Sequence, residues 1–200
     1  MLYFERKFRK KGKNLVIGID EVGRGPLAGP VVAAAVYLKD FNFKNRIDDS
    51  KKLTPFQREK AFFEIADKSI FGIGVVNEKV IDRLNILEAT QIAMEKAVVE
   101  LLEKLSSYKQ RRIHLLVDGN VKLGINLPRT NIINGDARSK SIAAASIMAK
   151  VTRDRIMCLY DKIFPQYGFV KHKGYPTKAH RRALKRFGRS IIHRTSFYGV

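Results

Sequence analysis

Residues 14–38 read NLVIGIDEVGRGPLAGPVVAAAVYL and contain two short apolar runs joined by a segment rich in glycine and proline. The first run, residues 14–19, and the second, residues 31–38, are rich in β-branched and small apolar side chains, which is typical of strands. The three glycines and two prolines between them favour a turn. The stretch therefore predicts two paired strands, with Asp20 and Glu21 placed where the first strand ends.

The composition predicts a folded, soluble protein. The chain has 200 residues, of which 45% are hydrophobic, enough for one domain or for one domain with a small appendage. Its longest apolar runs, at residues 31–38 and 142–149, fall well short of the roughly 20 residues that a membrane-spanning helix needs. No secretory signal precedes them, and the single cysteine, Cys158, excludes an intrachain disulfide. We therefore expect a cytoplasmic protein without a membrane partner.

The charge balance favours a polyanionic partner. With 39 Lys and Arg against 19 Asp and Glu, the net charge is +20, and residues 162–200 carry ten basic residues and no acidic one. Neutralising phosphates with such residues releases condensed counterions, so nucleic acid is the leading candidate. A small anionic metabolite or an acidic lipid surface would also be attracted. The basic run at residues 6–13 is at least as well explained as a solvated face.

The remaining apolar patterns alternate between strand and helix periods. Such alternation predicts an α/β domain with a mixed sheet. The predicted strands are residues 71–76, 113–117 and 132–133, and the predicted helices are residues 55–68, 85–105, 139–163 and 176–187.

Four acidic residues stand at strand ends or before a helix in this basic chain. Asp20 and Glu21 follow an apolar strand, Asp118 ends another, and Asp136 precedes the long helix. Clustered carboxylates repel unless cations neutralise them, and oxygen-only ligand sets suit Mg²⁺ or Mn²⁺. Taken singly, Asp136 is explained as a helix cap and Asp118 as a turn residue. Together, in a phosphate-seeking protein, the four acids favour a metal site for phosphodiester hydrolysis, which in two-metal enzymes uses ions roughly 3.5–4 Å apart.

Eight short motifs cover nearly the whole chain in a fixed order. They are GIDEVGRGPLAGPVVAAA at residues 18–35, DSKKL at 49–53, DRLNIL at 82–87, DG at 118–119, GD at 135–136, AAASIMAKVTRD at 143–154, HKGYPT at 172–177 and HR at 193–194. In these motifs the chain resembles ribonuclease HII, the type 2 ribonuclease H of bacteria.

The resemblance implies both a fold and an activity. The implied fold is an α/β, ribonuclease H-like mixed β-sheet flanked by helices, with residues 1–163 as the catalytic domain and residues 164–200 as a small helical element that binds substrate. The implied enzyme is a monomeric endoribonuclease. It would hydrolyse the RNA strand of RNA–DNA hybrids and nick duplex DNA on the 5′ side of a single embedded ribonucleotide, leaving a 3′-hydroxyl and a 5′-phosphate.

The resemblance also implies residue roles. The catalytic and metal-binding acids would be Asp20, Glu21, Asp118 and Asp136, which would hold two divalent ions, Mg²⁺ or Mn²⁺. Recognition of substrate is implied for a second set: Gly23, Arg24 and Gly25 at the ribose 2′-hydroxyl, and Tyr175 as a stacking platform. Glycines let backbone groups approach that hydroxyl, and an aromatic ring between lysines suits a phosphate-tracking groove. There is a structural alternative for each: a plain hairpin loop would explain Gly23 and Gly25, and packing on the following helix would explain Tyr175.

Further predictions concern residues 50–52, three histidines and the N-terminus. Ser50, Lys51 and Lys52 are expected to contact backbone phosphates, although a solvated loop also explains them. The histidines at 172, 180 and 193 lack metal-ligand spacing, so contacts to phosphate or packing are expected instead. The chain begins almost directly at its first strand, which leaves no room for the N-terminal extension of type 3 enzymes and favours type 2.

Two other functions compete with the metal-dependent ribonuclease. One is a non-catalytic nucleic-acid binding module, in which the acids are only caps and turns. The other is a nuclease or recombinase of the same fold that acts on DNA alone. Neither function explains a Gly-Arg-Gly loop directly after an acid pair, so the metal-dependent ribonuclease is the preferred hypothesis.

Overall fold

A five-stranded mixed sheet forms the centre of the protein. The computed structural model describes residues 1–105 and 112–200, and the sheet order is β3-β2-β1-β4-β5. β1 pairs antiparallel with β2 and parallel with β4, β2 pairs antiparallel with β3, and β4 pairs parallel with β5. The strands are β1 (Leu15–Val22), β2 (Val31–Leu38), β3 (Ser69–Val76), β4 (Ile113–Asp118) and β5 (Arg129–Ile132).

Helices cover both faces of this sheet. Ile17, Ile19 and Leu115 belong to a core shared with α4, and Val32 and Ala34 belong to a second core shared with α2 and α5. Helix α4 packs on one face and helices α2 and α5 pack on the other, so the sheet is buried on both sides. The helices are α1 (Tyr3–Lys10), α2 (Pro55–Lys68), α3 (Glu78–Leu84), α4 (Ile86–Lys104), α5 (Lys140–Ile163), α6 (Phe169–His172) and α7 (Lys178–Phe187).

The first turn of α5 lies against the middle of β1. A Cβ on Gly18 would stand 2.1 Å from the carbonyl carbon of Ser141, so only glycine permits this approach. Ser139 caps α5 by accepting a hydrogen bond from the Ile142 amide. This close approach brings the segment that precedes α5 to the ends of β1 and β4.

The predicted fold class is confirmed, with corrections to individual elements. The hairpin of β1 and β2 and the predicted helices are present. Helix α1 was not predicted: the chain does not start directly at its first strand, because the basic run at its N-terminus forms a helix whose Phe8 is buried. Helix α3 was also missed because seven residues hold too few turns to reveal a period. No helix in the described residues is long and apolar enough to cross a membrane.

Candidate active site

Asp20 and Asp118 lie side by side at the ends of neighbouring parallel strands. The register of β1 and β4 pairs Ile19 with Val117, and the two acids are the next residues of their strands. Side chains alternate between the faces of a strand, and Ile19 and Val117 belong to the core on the α4 side. Both carboxylates therefore face the α5 side of the sheet.

The Asp20 carboxylate is buried and surrounded by like charge. Burial and then the charges of Glu21 and Asp118 raise the pKa of Asp20 well above its usual value. The hydroxyl of Ser146 and the backbone amide of Glu21, whose nitrogen lies 2.7 Å from Asp20 Oδ1, stabilise the ionised form in part. The remaining excess of negative charge is the condition that a bound cation relieves.

Glu21 shares this electrostatic environment. Burial raises its pKa, and the charge of Asp118 raises it further, against the opposing effect of Arg24. Arg24 Nη1 lies 3.4 Å from Glu21 Oε1, so the loop arginine reaches back to the acid pair. The acid pair and the loop that follows it therefore form one connected structure.

Asp136 reaches the cluster through the segment before α5. The amide of Gly135 donates a 2.6 Å hydrogen bond to Asp118 Oδ1, which fixes this segment beside β4. Burial, and then the charges of Asp49 and Asp118, raise the pKa of Asp136. Its role as an N-cap is excluded because Ser139 caps α5. All four predicted acids thus lie in one electrostatically coupled group.

The Ser50-Lys51-Lys52 turn flanks the acids, and its three side chains behave differently. The Lys51 ammonium lies 3.8 Å from Asp136 Oδ2 and 4.0 Å from Asp49 Oδ1. The Ser50 side chain is buried, with its hydroxyl 3.0 Å from that of Ser146. Lys52 Nζ lies 3.5 Å from a carboxylate oxygen of Asp48. Of the three, Lys51 is directed to the acids, and the predicted phosphate contacts stay predictions.

The donor set fits hard divalent cations. All four acids offer carboxylate oxygens, the donors that Mg²⁺ and Mn²⁺ prefer. Within the described part of the chain, no three His, Cys, Asp or Glu side chains already surround a single point as metal ligands would. The carboxylates are nevertheless close enough to raise one another's pKa, and the exposed Lys51 side chain pairs with one of them, Asp136. Asp20, Glu21, Asp118 and Asp136 therefore offer the oxygen donors that a divalent cation needs, and their role as metal ligands stays a prediction.

The loop after the acid pair contains two glycines in different surroundings. Gly23 has φ +96°, and a Cβ there would lie 2.3 Å from Arg153 Nε, so packing requires glycine. Gly25 has no such constraint: a Cβ would meet only Tyr175 Cε1, at 4.0 Å. Tyr175 is 37% exposed, and the Lys150 ammonium lies 5.9 Å from the centroid of its ring. Gly25 and Tyr175 thus border the same open space.

Two fully buried arginines support this loop from beneath. Arg153 donates to the carbonyl oxygens of Pro30, Ala28 and Lys173, and so joins the loop to the segment that carries Tyr175. Arg194 donates to carbonyl oxygens of the same loop. Burial lowers the pKa of Arg153 to about 10, and burial and the Arg153 charge lower that of Arg194 to about 9. Both therefore remain charged at neutral pH.

Three buried histidines pack together behind Tyr175. The rings of His172 and His180 stack at 4.5 Å, and His180 Nε2 lies 3.0 Å from His193 Nε2. His180 Nδ1 lies 3.0 Å from the Tyr175 carbonyl oxygen. Packing, one of the two predicted roles, is what the structure assigns to them.

A basic cleft of about 610 Å³ opens beside the site, between α2 and α5. Its lining includes two acidic residues and six basic ones, so it would attract a phosphate backbone. Lys150 and Lys173 bring it next to Tyr175. The basic lining residues are Arg58, Lys150, Arg155, Lys162, Lys171 and Lys173.

Comparison with known proteins identifies the family of this chain. Residues 17–200 match the family model described as ribonuclease HII. The chain belongs to the ribonuclease HII family. Ribonuclease HII of Acetivibrio thermocellus is 52% identical over 198 residues, which are 98% of this chain and 75% of that protein. Ribonuclease HII of Syntrophotalea carbinolica is 46% identical over 200 residues, which are 100% of this chain and 92% of that protein.

Solved structures share the fold. The ribonuclease HII of Archaeoglobus fulgidus, solved in a complex with PCNA, gives a TM-score of 0.74 at 25% identity over 92% of this chain and 95% of that one. The Bst ribonuclease HIII solved with Mn²⁺ gives 0.72 at 18% identity over 96% and 70%. The ribonuclease H fold is thereby confirmed. Membership of the ribonuclease HII family makes the chain a hydrolase that cuts RNA strands internally.

The sequence reasoning missed residues that support the predicted ones. Asp49 acts on Asp136, and Ser146 links Asp20 to Ser50. Asp49 begins the DSKKL motif and Ser146 lies within the alanine-rich motif of α5, so their presence in the motifs was the available signal. Their contacts span up to 126 residues of sequence (146 − 20), which no local pattern reveals.

Proposed function

We propose that this ribonuclease cleaves the RNA strand of RNA–DNA hybrids and nicks duplex DNA on the 5′ side of a single embedded ribonucleotide. The observation that carries the proposal is Gly25. Its position tolerates a Cβ as far as the protein is concerned, beside the exposed face of Tyr175 and four residues after Glu21. The protein's own packing does not require glycine at this position. A ligand that approaches the backbone closely would explain why no side chain is present.

The ligand that fits this space is a ribonucleotide in a duplex. A 2′-hydroxyl both donates and accepts hydrogen bonds and distinguishes RNA from DNA at one nucleotide. Backbone groups of Gly23, Arg24 and Gly25 are available to it, and Tyr175 would stack on the adjoining sugar or base. Residues 164–200 carry Tyr175 and nine basic residues, so we propose this segment as the substrate-binding element attached to the catalytic domain of residues 1–163.

The four acids would hold two divalent ions, Mg²⁺ or Mn²⁺. When bound, such ions supply an activated water and stabilise the leaving oxygen of the phosphodiester. Asp20, Glu21, Asp118 and Asp136 anchor them at the ends of β1 and β4. Products with a 3′-hydroxyl and a 5′-phosphate follow when water attacks phosphorus and the bond to the 3′-oxygen breaks.

The protein's own residues would do the rest by positioning. Lys51, Lys52 and the basic cleft hold the phosphate backbone, and the buried Ser50 hydroxyl keeps their turn against Ser146. A cytoplasmic location and a monomeric state stay predictions.

The decisive experiment uses three duplexes of one sequence: all DNA, DNA with one ribonucleotide, and an RNA–DNA hybrid. The enzyme is incubated with each in Mg²⁺ or Mn²⁺, with and without EDTA, and the ends of the products are mapped. We expect cleavage of the hybrid, a single nick 5′ of the ribonucleotide, no cleavage of DNA and none in EDTA. Equal cleavage of the all-DNA duplex would support a DNA nuclease instead, and binding without cleavage would support a binding module.

A further inference from the structure

The DRLNIL motif at residues 82–87 contains an aspartate that clamps a distant segment. Asp82 Oδ2 accepts hydrogen bonds from the Thr195 amide at 2.9 Å and from the Thr195 hydroxyl at 2.8 Å. Asp82 Oδ1 accepts from the Ser196 amide at 3.0 Å and the Ser196 hydroxyl at 2.7 Å. One carboxylate thus makes four hydrogen bonds to the two residues after Arg194 and fixes the backbone from which the Arg194 side chain extends.

Arg194 uses its guanidinium on backbone carbonyls of the loop after the acid pair. Nη2 donates to Gly23 O at 2.6 Å, and Nη1 donates to Arg24 O at 3.0 Å. Nε and Nη2 both donate to Gly29 O, at 2.9 and 2.7 Å. The residue is fully buried, and across the described ranges it forms no salt bridge. Its charge is satisfied by the loop itself.

These contacts fix the orientation of two peptide units. The peptide bonds of the described residues are trans, and in a trans peptide the C=O and N–H groups point in opposite directions. With the carbonyl oxygens of Gly23 and Arg24 directed at Arg194, the amides of Arg24 and Gly25 point away from it. A flip of either unit would break a hydrogen bond to a charged donor and turn a carbonyl outward.

We propose that Arg194, held by Asp82, is a positioning residue for ribose recognition. It presents the amides of Arg24 and Gly25 as donors to the substrate and keeps the two carbonyls turned away. The inference rests on the proposed function, in which this loop reads the 2′-hydroxyl. It assigns to Arg194 no part in holding metal, because its hydrogen bonds go to Gly23, Arg24 and Gly29 and not to the four acids.

The test measures discrimination between ribose and deoxyribose in binding, without metal. Two duplexes that differ only by one 2′-hydroxyl are titrated in EDTA against wild type, Arg194→Lys and Asp82→Asn, and the ratio of the two Kd values is compared. The matched control is Asp67→Asn, the same change at an exposed position of α2. We expect the ratio to fall at least fivefold in Arg194→Lys and at least twofold in Asp82→Asn, and to stay unchanged in Asp67→Asn.

A general structural role gives a different result. Loss of packing would weaken binding of both duplexes equally and leave the ratio unchanged, which would overturn the inference. If Arg194→Lys does not fold, as judged by its unfolding transition, Asp82→Asn decides alone, since it keeps the arginine. A wild type that binds both duplexes equally would overturn the proposed ribose recognition, and the inference with it. A discriminating wild type with equally discriminating variants would overturn the inference alone.

Discussion

Two regions of this molecule bury charge, and they do so in opposite ways. Around Arg153 and Arg194, each guanidinium donates to backbone carbonyls, and the neighbouring histidines hydrogen-bond to one another and to the backbone. Around Asp20, carboxylates face carboxylates, and the pKa of that group is raised well above its usual value by burial and like charge. In the first region the buried charges have hydrogen-bond partners within the protein, whereas in the second the buried carboxylates lack a counterion.

The difference separates scaffold from catalytic machinery. A buried charge with all its partners in the protein rigidifies the structure, while a buried charge that lacks a counterion is held in place at a cost in stability. The loop that contains Gly23 and Gly25 lies between the two regions. Hydrogen bonds from Arg153 and Arg194 hold the backbone of this loop, and the loop directly follows Asp20 and Glu21. A preorganised site requires such a fixed backbone next to the reacting groups.

The largest effect should come from the unsatisfied region, where activity and stability change in opposite directions. Asp20→Asn removes a proposed metal ligand, so we expect the cleavage rate to fall at least a thousandfold, about 4 kcal/mol. Because it also removes charge repulsion, the free energy of unfolding in EDTA should rise by about 1 kcal/mol. Cleavage assays and urea unfolding measure the two, with Asp67→Asn as control. A loss of both activity and stability would make Asp20 a scaffold residue.

The satisfied region should respond in the opposite sense. Arg153→Met leaves the carbonyls of Ala28, Pro30 and Lys173 without their donor, so we expect the free energy of unfolding to fall by about 3 kcal/mol. Urea unfolding in EDTA measures this loss. A variant as stable as wild type would contradict the distinction between the two regions.

The two loop glycines, Gly23 and Gly25, extend the comparison to two positions that only Arg24 separates. Gly25→Ala adds a Cβ where the protein has room, so stability should stay within about 0.5 kcal/mol while cleavage falls about tenfold or more. Gly23→Ala places a Cβ 2.3 Å from Arg153 Nε at a positive φ, so it should be destabilised by about 2 kcal/mol. For both variants, urea unfolding measures the stability and cleavage of the ribonucleotide-containing duplex measures the activity. If Gly25→Ala were fully active, no ligand would approach there.

The smallest effect is a pH dependence of stability from the histidines. Burial and the neighbouring His180 lower the pKa of His193 to about 4, against 6.5 when unfolded. Between these values the unfolded chain binds the proton and the folded protein does not, so this contribution is complete above pH 6.5 and is lost as the pH falls towards 4. The stability difference between wild type and His193→Gln should therefore shrink by about 1 kcal/mol from pH 7 to pH 5.5. A difference independent of pH would refute this.

The sequence predicts structural features that depend on neighbouring residues and misses those that depend on contacts between distant residues. Strands and long helices have local periods, so β1, β2 and α5 were predicted near their observed bounds. The proximity of Asp20 and Asp118 could be expected because the ends of neighbouring parallel strands meet at one edge of a sheet, whereas the metal roles of the four acids stay predictions. Helix α1 was not, because its fold depends on contacts such as Glu5 Oε1 with Ser139 Oγ, at 2.7 Å across 134 residues. The role of Arg194 likewise depends on a contact across 170 residues.

We propose that the four carboxylates gathered beside the ends of β1 and β4 form a divalent-metal site. Isothermal titration of Mn²⁺ into wild type, Asp118→Asn and the control Asp67→Asn tests it without any substrate. We predict saturable binding to wild type and to the control, and binding at least tenfold weaker in Asp118→Asn. Equal Mn²⁺ affinity in wild type and Asp118→Asn would contradict the account.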